Sequence, residues 1–238
     1  MLQTVRSLGE RGTLARILPL LPQAGSVVVP PGDDSAVSTI NGNRVVTTCD
    51  MMIQGPDFRL DWSTPRDLGI KAMASNLADI AAMGAVPTGV IVAVACPPET
   101  PVSFMEELAR GIAEGLELMA PGCGVLGGDL STAPVVTISV TVIGELSGRD
   151  PVLRSGARAG DQVAVAGKVG DSERGLRMLR AAESGEAVSS LREVDEVRHH
   201  LAPIAPISKG VVAAESGATA MMDISDGLVL DATRMAEA

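Results

Sequence analysis

The sequence predicts an α+β protein in two domains. Three observations predict it. Short β-branched runs alternate with stretches of helical periodicity along the chain. One polar segment, Ser147-Gly148-Arg149-Asp150-Pro151, interrupts the alternation as an interdomain linker would. The 238 residues, 46% of them apolar, are enough to fill two modest cores. The domains are expected at 1–148 and 149–238.

In chain order, residues 1–22 carry Leu, Ile and Arg at helical spacing and end at Pro22. Residues 26–29 are short and β-branched, and Pro30-Pro31-Gly32-Asp33-Asp34 breaks the run. Asn41-Gly42 between the apolar stretches 36–40 and 44–48 predicts a hairpin turn. Residues 65–83 form the clearest helix, with Pro65 near its start and Gly84 just past its end. A buried strand is expected at 88–95, a helix over 101–120 and a strand over 135–145. Beyond the linker come a strand at 162–166, a Gly-rich loop at 167–171 and helices at 172–183, 189–201 and 206–216. A strand at 219–223 and a helix from 227 follow. The last residue, Ala238, falls inside that helix, so the second domain reads as incomplete.

Composition excludes several functions. The net charge of −10 argues against unassisted binding to a phosphate backbone, and an anionic ligand would need cations as intermediaries. Only Trp62, Phe58 and Phe104 are aromatic, too few for a stacking platform on single-stranded nucleic acid. Cys49, Cys96 and Cys123 are odd in number and form no CxxC pair, so neither a disulfide framework nor a thiolate zinc site is indicated. No run of about 18 apolar residues is present and no signal pattern opens the chain, so no membrane span is expected and a cytoplasmic location is.

The motifs taken singly are weak. Gly122-Cys-Gly124-Val-Leu-Gly127 matches G-x-G-x-x-G, but a helix precedes it and a strand follows, the reverse of a dinucleotide site. Gly127-Gly128-Asp129 reads either as a glycine turn or as backbone open to a phosphate beside a carboxylate. Gly167 to Ser172 is glycine-rich without being a P-loop; it suits an anion at a helix start or a simple cap by Asp171 or Ser172. Asp223-Ile-Ser225-Asp226-Gly227 lacks the spacing of an EF-hand and reads as an N-cap cluster or a metal loop. On the apolar 65–83 helix, Lys71, Ser75 and Asp79 recur at four-residue steps with Asn76 beside them. That stripe needs either an internal Lys–Asp pair or a metal at Asp79. His199 and His200 sit in a charged stretch and read as a solvated face.

In order along the chain stand Gly32-Asp33-Asp34, Thr47-Thr48-Cys49-Asp50, Asn76-Leu-Ala-Asp79-Ile-Ala-Ala-Met-Gly-Ala85, Leu126-Gly-Gly-Asp129, Arg154-Ser-Gly-Ala-Arg-Ala-Gly-Asp161, Gly170-Asp-Ser172 and Asp223-Ile-Ser-Asp-Gly-Leu228. Together they resemble the thiamine-monophosphate kinase family of the aminoimidazole ribonucleotide synthetase superfamily, across essentially the whole chain. The resemblance implies ATP-dependent, Mg²⁺-assisted phosphorylation of thiamine monophosphate to thiamine diphosphate. It also implies a homodimer whose N-terminal sheets close into a barrel. It maps metal ligation to Asp34, Thr48, Cys49, Asp50, Asp79, Asp129, Asp223 and Asp226, and ATP contacts to Gly128, Asp129, Arg154 and Ser225. Asp57 stands where the family commonly has His at a substrate-contacting position. Cys49 replaces the usual Ser or Thr; a thiol suits Mg²⁺ poorly, so contact there would use its carbonyl. A sister ATP-dependent synthetase of the superfamily is the alternative activity, and a nucleotide-binding fragment is the non-enzymatic one.

Overall fold

Residues 3–29, 37–182 and 185–238 are described by the structure, a computed structural model. Helix α1 (Val5–Ile17) leads into strands β1 (Val27–Val29) and β2 (Val37–Ser38). Then come β3 (Val45–Ile53), α2 (Pro65–Ala82), β4 (Val86–Cys96), α3 (Val102–Met119), β5 (Gly124–Thr132) and β6 (Thr137–Glu145). After residue 146 come a largely irregular stretch and then helices α4 (Asp171–Ala181), α5 (Gly185–Leu191), α6 (Asp195–Leu201), α7 (Ser208–Glu215) and α8 (Leu228–Glu237).

The four long strands make one mixed sheet in the order β3-β6-β4-β5, with β4 and β5 parallel and the other pairs antiparallel. A parallel pair needs a crossover, and α3 supplies it. Helices α2 and α3 lie on one face. Leu68, Met73, Leu77 and Ile80 of α2 and Leu108 and Leu116 of α3 are buried with Ile138, Val140 and Val142 of β6 in one core. The Thr64 hydroxyl accepts from Asp67 N–H and Asp67 returns the bond to Thr64 N–H, a capping box behind Pro65 that fixes where α2 starts. The other face of the sheet stays open: Met51 is 50% exposed and Ile91 40%. A second cluster of Leu179, Val188, Val197 and Leu201 packs with Trp62. Arg192 ties it to the first unit, donating to the Trp62 carbonyl and the Asp67 carboxylate at 2.7 and 2.5 Å.

The expected α+β class holds, with five elements corrected. The Asn41-Gly42 turn does not close a hairpin: β2 pairs with β1, while β3 pairs with β6. Glycine and aspartate hid β5, because strand propensity is low in Gly-Gly-Asp, yet the segment runs beside β4. The runs 162–166 and 219–223 are not strands. Val163 is 89% exposed, and a strand needs a neighbour to take its hydrogen bonds. The expected helix at 189–201 is two, α5 and α6, with a break between Leu191 and Asp195. Among the described residues no helix is long and apolar enough to cross a membrane.

Candidate functional site

Strand β3 is an edge, so some of its polar backbone groups have no sheet partner. Helix α2 supplies one. The buried Asn76 accepts the Asp50 N–H on its Oδ1 at 3.0 Å and donates its Nδ2 to the Ala72 carbonyl at 3.0 Å. One turn further on, Asp79 Oδ2 accepts the Thr48 hydroxyl at 2.7 Å. Residues 48 and 50 share a strand face, and 76 and 79 share a helix face. Two short polar bonds thus lock α2 across the β3 edge and leave Asp50 and Asp79 as neighbours.

Asp79 lies above the ordinary carboxylate range. Burial is the main cause and the Asp50 charge adds to it, while the Thr48 hydroxyl and the Arg154 guanidinium oppose it. Asp223, from the loop before α8, is raised in the same way: burial leads, the charges of Asp79 and Asp231 add, and Arg154 opposes. Three distant segments therefore converge, with like charges held together and the Arg154 guanidinium easing both. Carboxyl oxygens and a hydroxyl are a hard donor set that suits Mg²⁺. Among the described residues, however, no three of His, Cys, Asp and Glu come close enough to cage an ion. Such a set fits a cation that keeps waters and phosphate oxygens as its other ligands, the usual habit of Mg²⁺.

Other expected site residues fall elsewhere. Asp34 lies outside the described residues. Asp129 pairs with Ala93, in a row with Ser139 and Met51, so it belongs to the open sheet face and not to the face under α2. Cys49 also faces that side, with Sγ 3.6 Å from Ser139 Oγ, and its thiol does not approach Asp79. Gly128 has a packing reason to be glycine: a Cβ would meet the Val92 carbonyl oxygen at 2.0 Å. The Asp226 carboxylate is taken by Arg234 at 2.5 Å, and Ser225 and Asp226 donate their N–H groups to Asp231. Asp57 closes its own turn, accepting Ile53 N–H on Oδ2 at 2.7 Å.

The internal Lys71–Asp79 pair does not form, because eight residues of helix separate the two by about 12 Å. Lys71 instead reaches the Asp57 carbonyl at 3.5 Å, and burial lowers its ammonium below the ordinary lysine range. Neither Asp171 nor Ser172 caps α4. Ser172 Oγ lies 3.0 Å from His200 Nδ1, and His200 is half-buried rather than on a solvated face. The missed signal was the apolar pair Val197 and Leu201, which turns that side of α6 inward.

Burial, with the Lys71 charge behind it, lowers His200 from 6.5 to about 4. Its folded value lies below its unfolded one, so the unfolded chain binds more protons between them. The stability from neutral His200 is present above about 6.5 and is lost as pH falls to about 4. Thermal melting from pH 7 to 4 should show this acid limb, and His200→Gln should flatten it. Cys96 and Cys123 are buried and Cys49 is exposed; burial pushes the Cys123 thiol up to about 12. A thiol reagent should therefore label only Cys49 in the native chain, and three sites after denaturation.

Comparison with known proteins finds relatives along the whole chain. The family model for the AIR synthase related protein N-terminal domain matches residues 32–146. A thiamine-monophosphate kinase of Mycobacterium tuberculosis is 43% identical over 235 residues, covering 99% of this chain and 68% of that protein. One of Corynebacterium glutamicum is 41% identical over 234 residues, covering 97% and 69%. A solved structure described as AaThiL complexed with AMPPCP and TMP superposes with a TM-score of 0.71 at 30% identity, covering 99% of this chain and 72% of that one.

Proposed function

We propose a function from the premise that this chain belongs to the thiamine-monophosphate kinase family. It is an ATP-dependent kinase that moves the γ-phosphoryl group of ATP onto the phosphate of thiamine monophosphate, giving thiamine diphosphate and ADP. The observation that carries this reading within the molecule is the convergence of Asp79, Asp50 and Asp223 beside Arg154. Phosphoryl transfer asks for position and charge compensation more than for a covalent nucleophile. The acceptor is already a phosphate oxygen, so no strong base is needed.

Thr48, Asp50, Asp79 and Asp223 would hold Mg²⁺, with Asp226 entering once Arg234 releases it. Asp34 and the Cys49 carbonyl are further ligands in this reading. Bound there, Mg²⁺ would neutralise charge on the phosphate oxygens. In this reading Arg154, whose charge already eases Asp79 and Asp223, binds a phosphate, and Ser225 contacts the nucleotide. Asp57 has Oδ1 left for the cationic part of thiamine. The open face of the sheet, with Asp129 and exposed Met51 and Ile91, supports pairing with a second copy of the chain. That pairing would bring Asp129 to the shared interior of a barrel.

Incubation with thiamine monophosphate, γ-labelled ATP and Mg²⁺ tests the activity. Label should pass into thiamine diphosphate, one ADP for each. Release of labelled phosphate without thiamine diphosphate would favour the sister synthetase.

A further inference from the structure

The loop 223–227 carries three residues of the reading above, and all but Asp223 among them are exposed. Its shape is set from a distance. Asp231, in the first turn of α8, is only 2% exposed. Its Oδ2 accepts Ser225 N–H at 3.0 Å and Asp226 N–H at 2.9 Å, and its Oδ1 accepts Arg234 Nη1 at 2.9 Å. The same Arg234 nitrogen donates to Asp226 Oδ2 at 2.5 Å. Gly227, the residue before α8, offers no side chain to cap the helix. One buried carboxylate thus organises the backbone of the loop and, through Arg234, the side chain of Asp226.

A carboxylate inside protein is costly, and a fold seldom gains net stability from one. Here it anchors an exposed loop that buries little apolar surface, and its charge adds to the rise at Asp223. Those features weigh against a role in stability alone. An aspartate at the same place, gripping two successive amides, fixes the direction in which residues 223 to 226 leave the chain.

We infer that Asp231 is a positioning residue: it holds the 223–226 loop so that Asp223 and Asp226 face Asp79 as cation ligands. The inference rests on the metal-assisted reading of the site. Arg234 is the cation that Asp226 keeps while none is bound.

Two measurements on the full chain test it. In the unsubstituted protein, the Ser225 and Asp226 amides should exchange with solvent hydrogen at least ten-fold more slowly than exposed loop amides such as that of Gly42. Free exchange there would overturn the inference, whatever any variant does. Next, the affinity for the ATP analogue AMPPCP is measured by calorimetry over a Mg²⁺ series. Asp231→Asn puts an NH₂ group against either the loop amides or Arg234, and should raise the Mg²⁺ midpoint ten-fold or more. Arg234→Met leaves the two amide bonds intact and should move it less than three-fold. Binding in excess chelator should stay within two-fold for all three proteins. An unmoved midpoint in Asp231→Asn, or equal shifts in both variants, would show that Asp231 does not position the loop. If AMPPCP binding to the unsubstituted chain ignores Mg²⁺, the metal reading itself fails, and the exchange result is judged separately.

Discussion

Replacing Asp79 by Asn should lower turnover by about 10²–10³-fold, the loss typical when one preorganised electrostatic group at a transition state is removed. The same change should raise the melting temperature of the ion-free chain at neutral pH. Asp79 sits half-buried with its carboxyl above the ordinary range and with Asp50 beside it. Its folded value exceeds its unfolded one, so the folded chain binds the extra proton, and stability falls as pH rises through that interval. An amide removes that repulsion and keeps an oxygen for the Thr48 hydroxyl, now 2.7 Å away. Added Mg²⁺ should then raise the melting temperature of the unsubstituted protein and leave that of Asp79→Asn almost unchanged. Kinetics and thermal melts with and without Mg²⁺ read both effects. A variant that loses stability and keeps its turnover would assign Asp79 to the fold.

The second large effect is expected at the crossing of α2 and α3. A Cβ on Gly111 would meet the Arg66 carbonyl oxygen at 2.1 Å, so the two helices touch through backbone there. Gly69 faces the same contact, where a Cβ would lie 2.5 Å from the Leu108 carbonyl oxygen. Ala at 111 gains helix propensity, about 1 kcal/mol relative to Gly. Separating the helices disturbs the packing of Leu68, Met73, Leu108 and Leu116 at the centre of the core, and overpacking of that kind costs about 1–3 kcal/mol or more. Gly111→Val, with a larger clash and a smaller propensity gain, should be worse than Gly111→Ala. Denaturant midpoints of both variants measure the order. Equal stability for all three proteins would mean that the helices do not approach this closely.

The helices α2 and α3 were legible because periodicity, Pro near the start and glycine or proline at the end agreed over a long stretch. Strand β5 was not, since Gly127, Gly128 and Asp129 contradict strand propensity and only the pairing with β4 holds them straight. The Asn41-Gly42 turn misled because turn chemistry is local, while β3 chooses β6 about 90 residues later. At the site, residue types were readable and partnerships were not. Asp79 stood out as a charge on an apolar helix, but its bond to Thr48 needs the β3 edge. Asp231 carries no motif signal at all: one aspartate in an ordinary helix acquires its role only when the loop folds back over it. His200 likewise looked solvated until Ser172 met it.

The central claim is that residues from β3, α2 and the 223–226 loop share one cation site for the transferred phosphoryl group. Paramagnetic broadening by Mn²⁺ tests it most directly. With AMPPCP present, a Mn²⁺ ion should erase the backbone amide signals of residues 48–50, 76–79 and 223–226, and excess Mg²⁺ should restore them. Broadening centred elsewhere, with the Asp79 and Asp223 signals intact, would contradict the account.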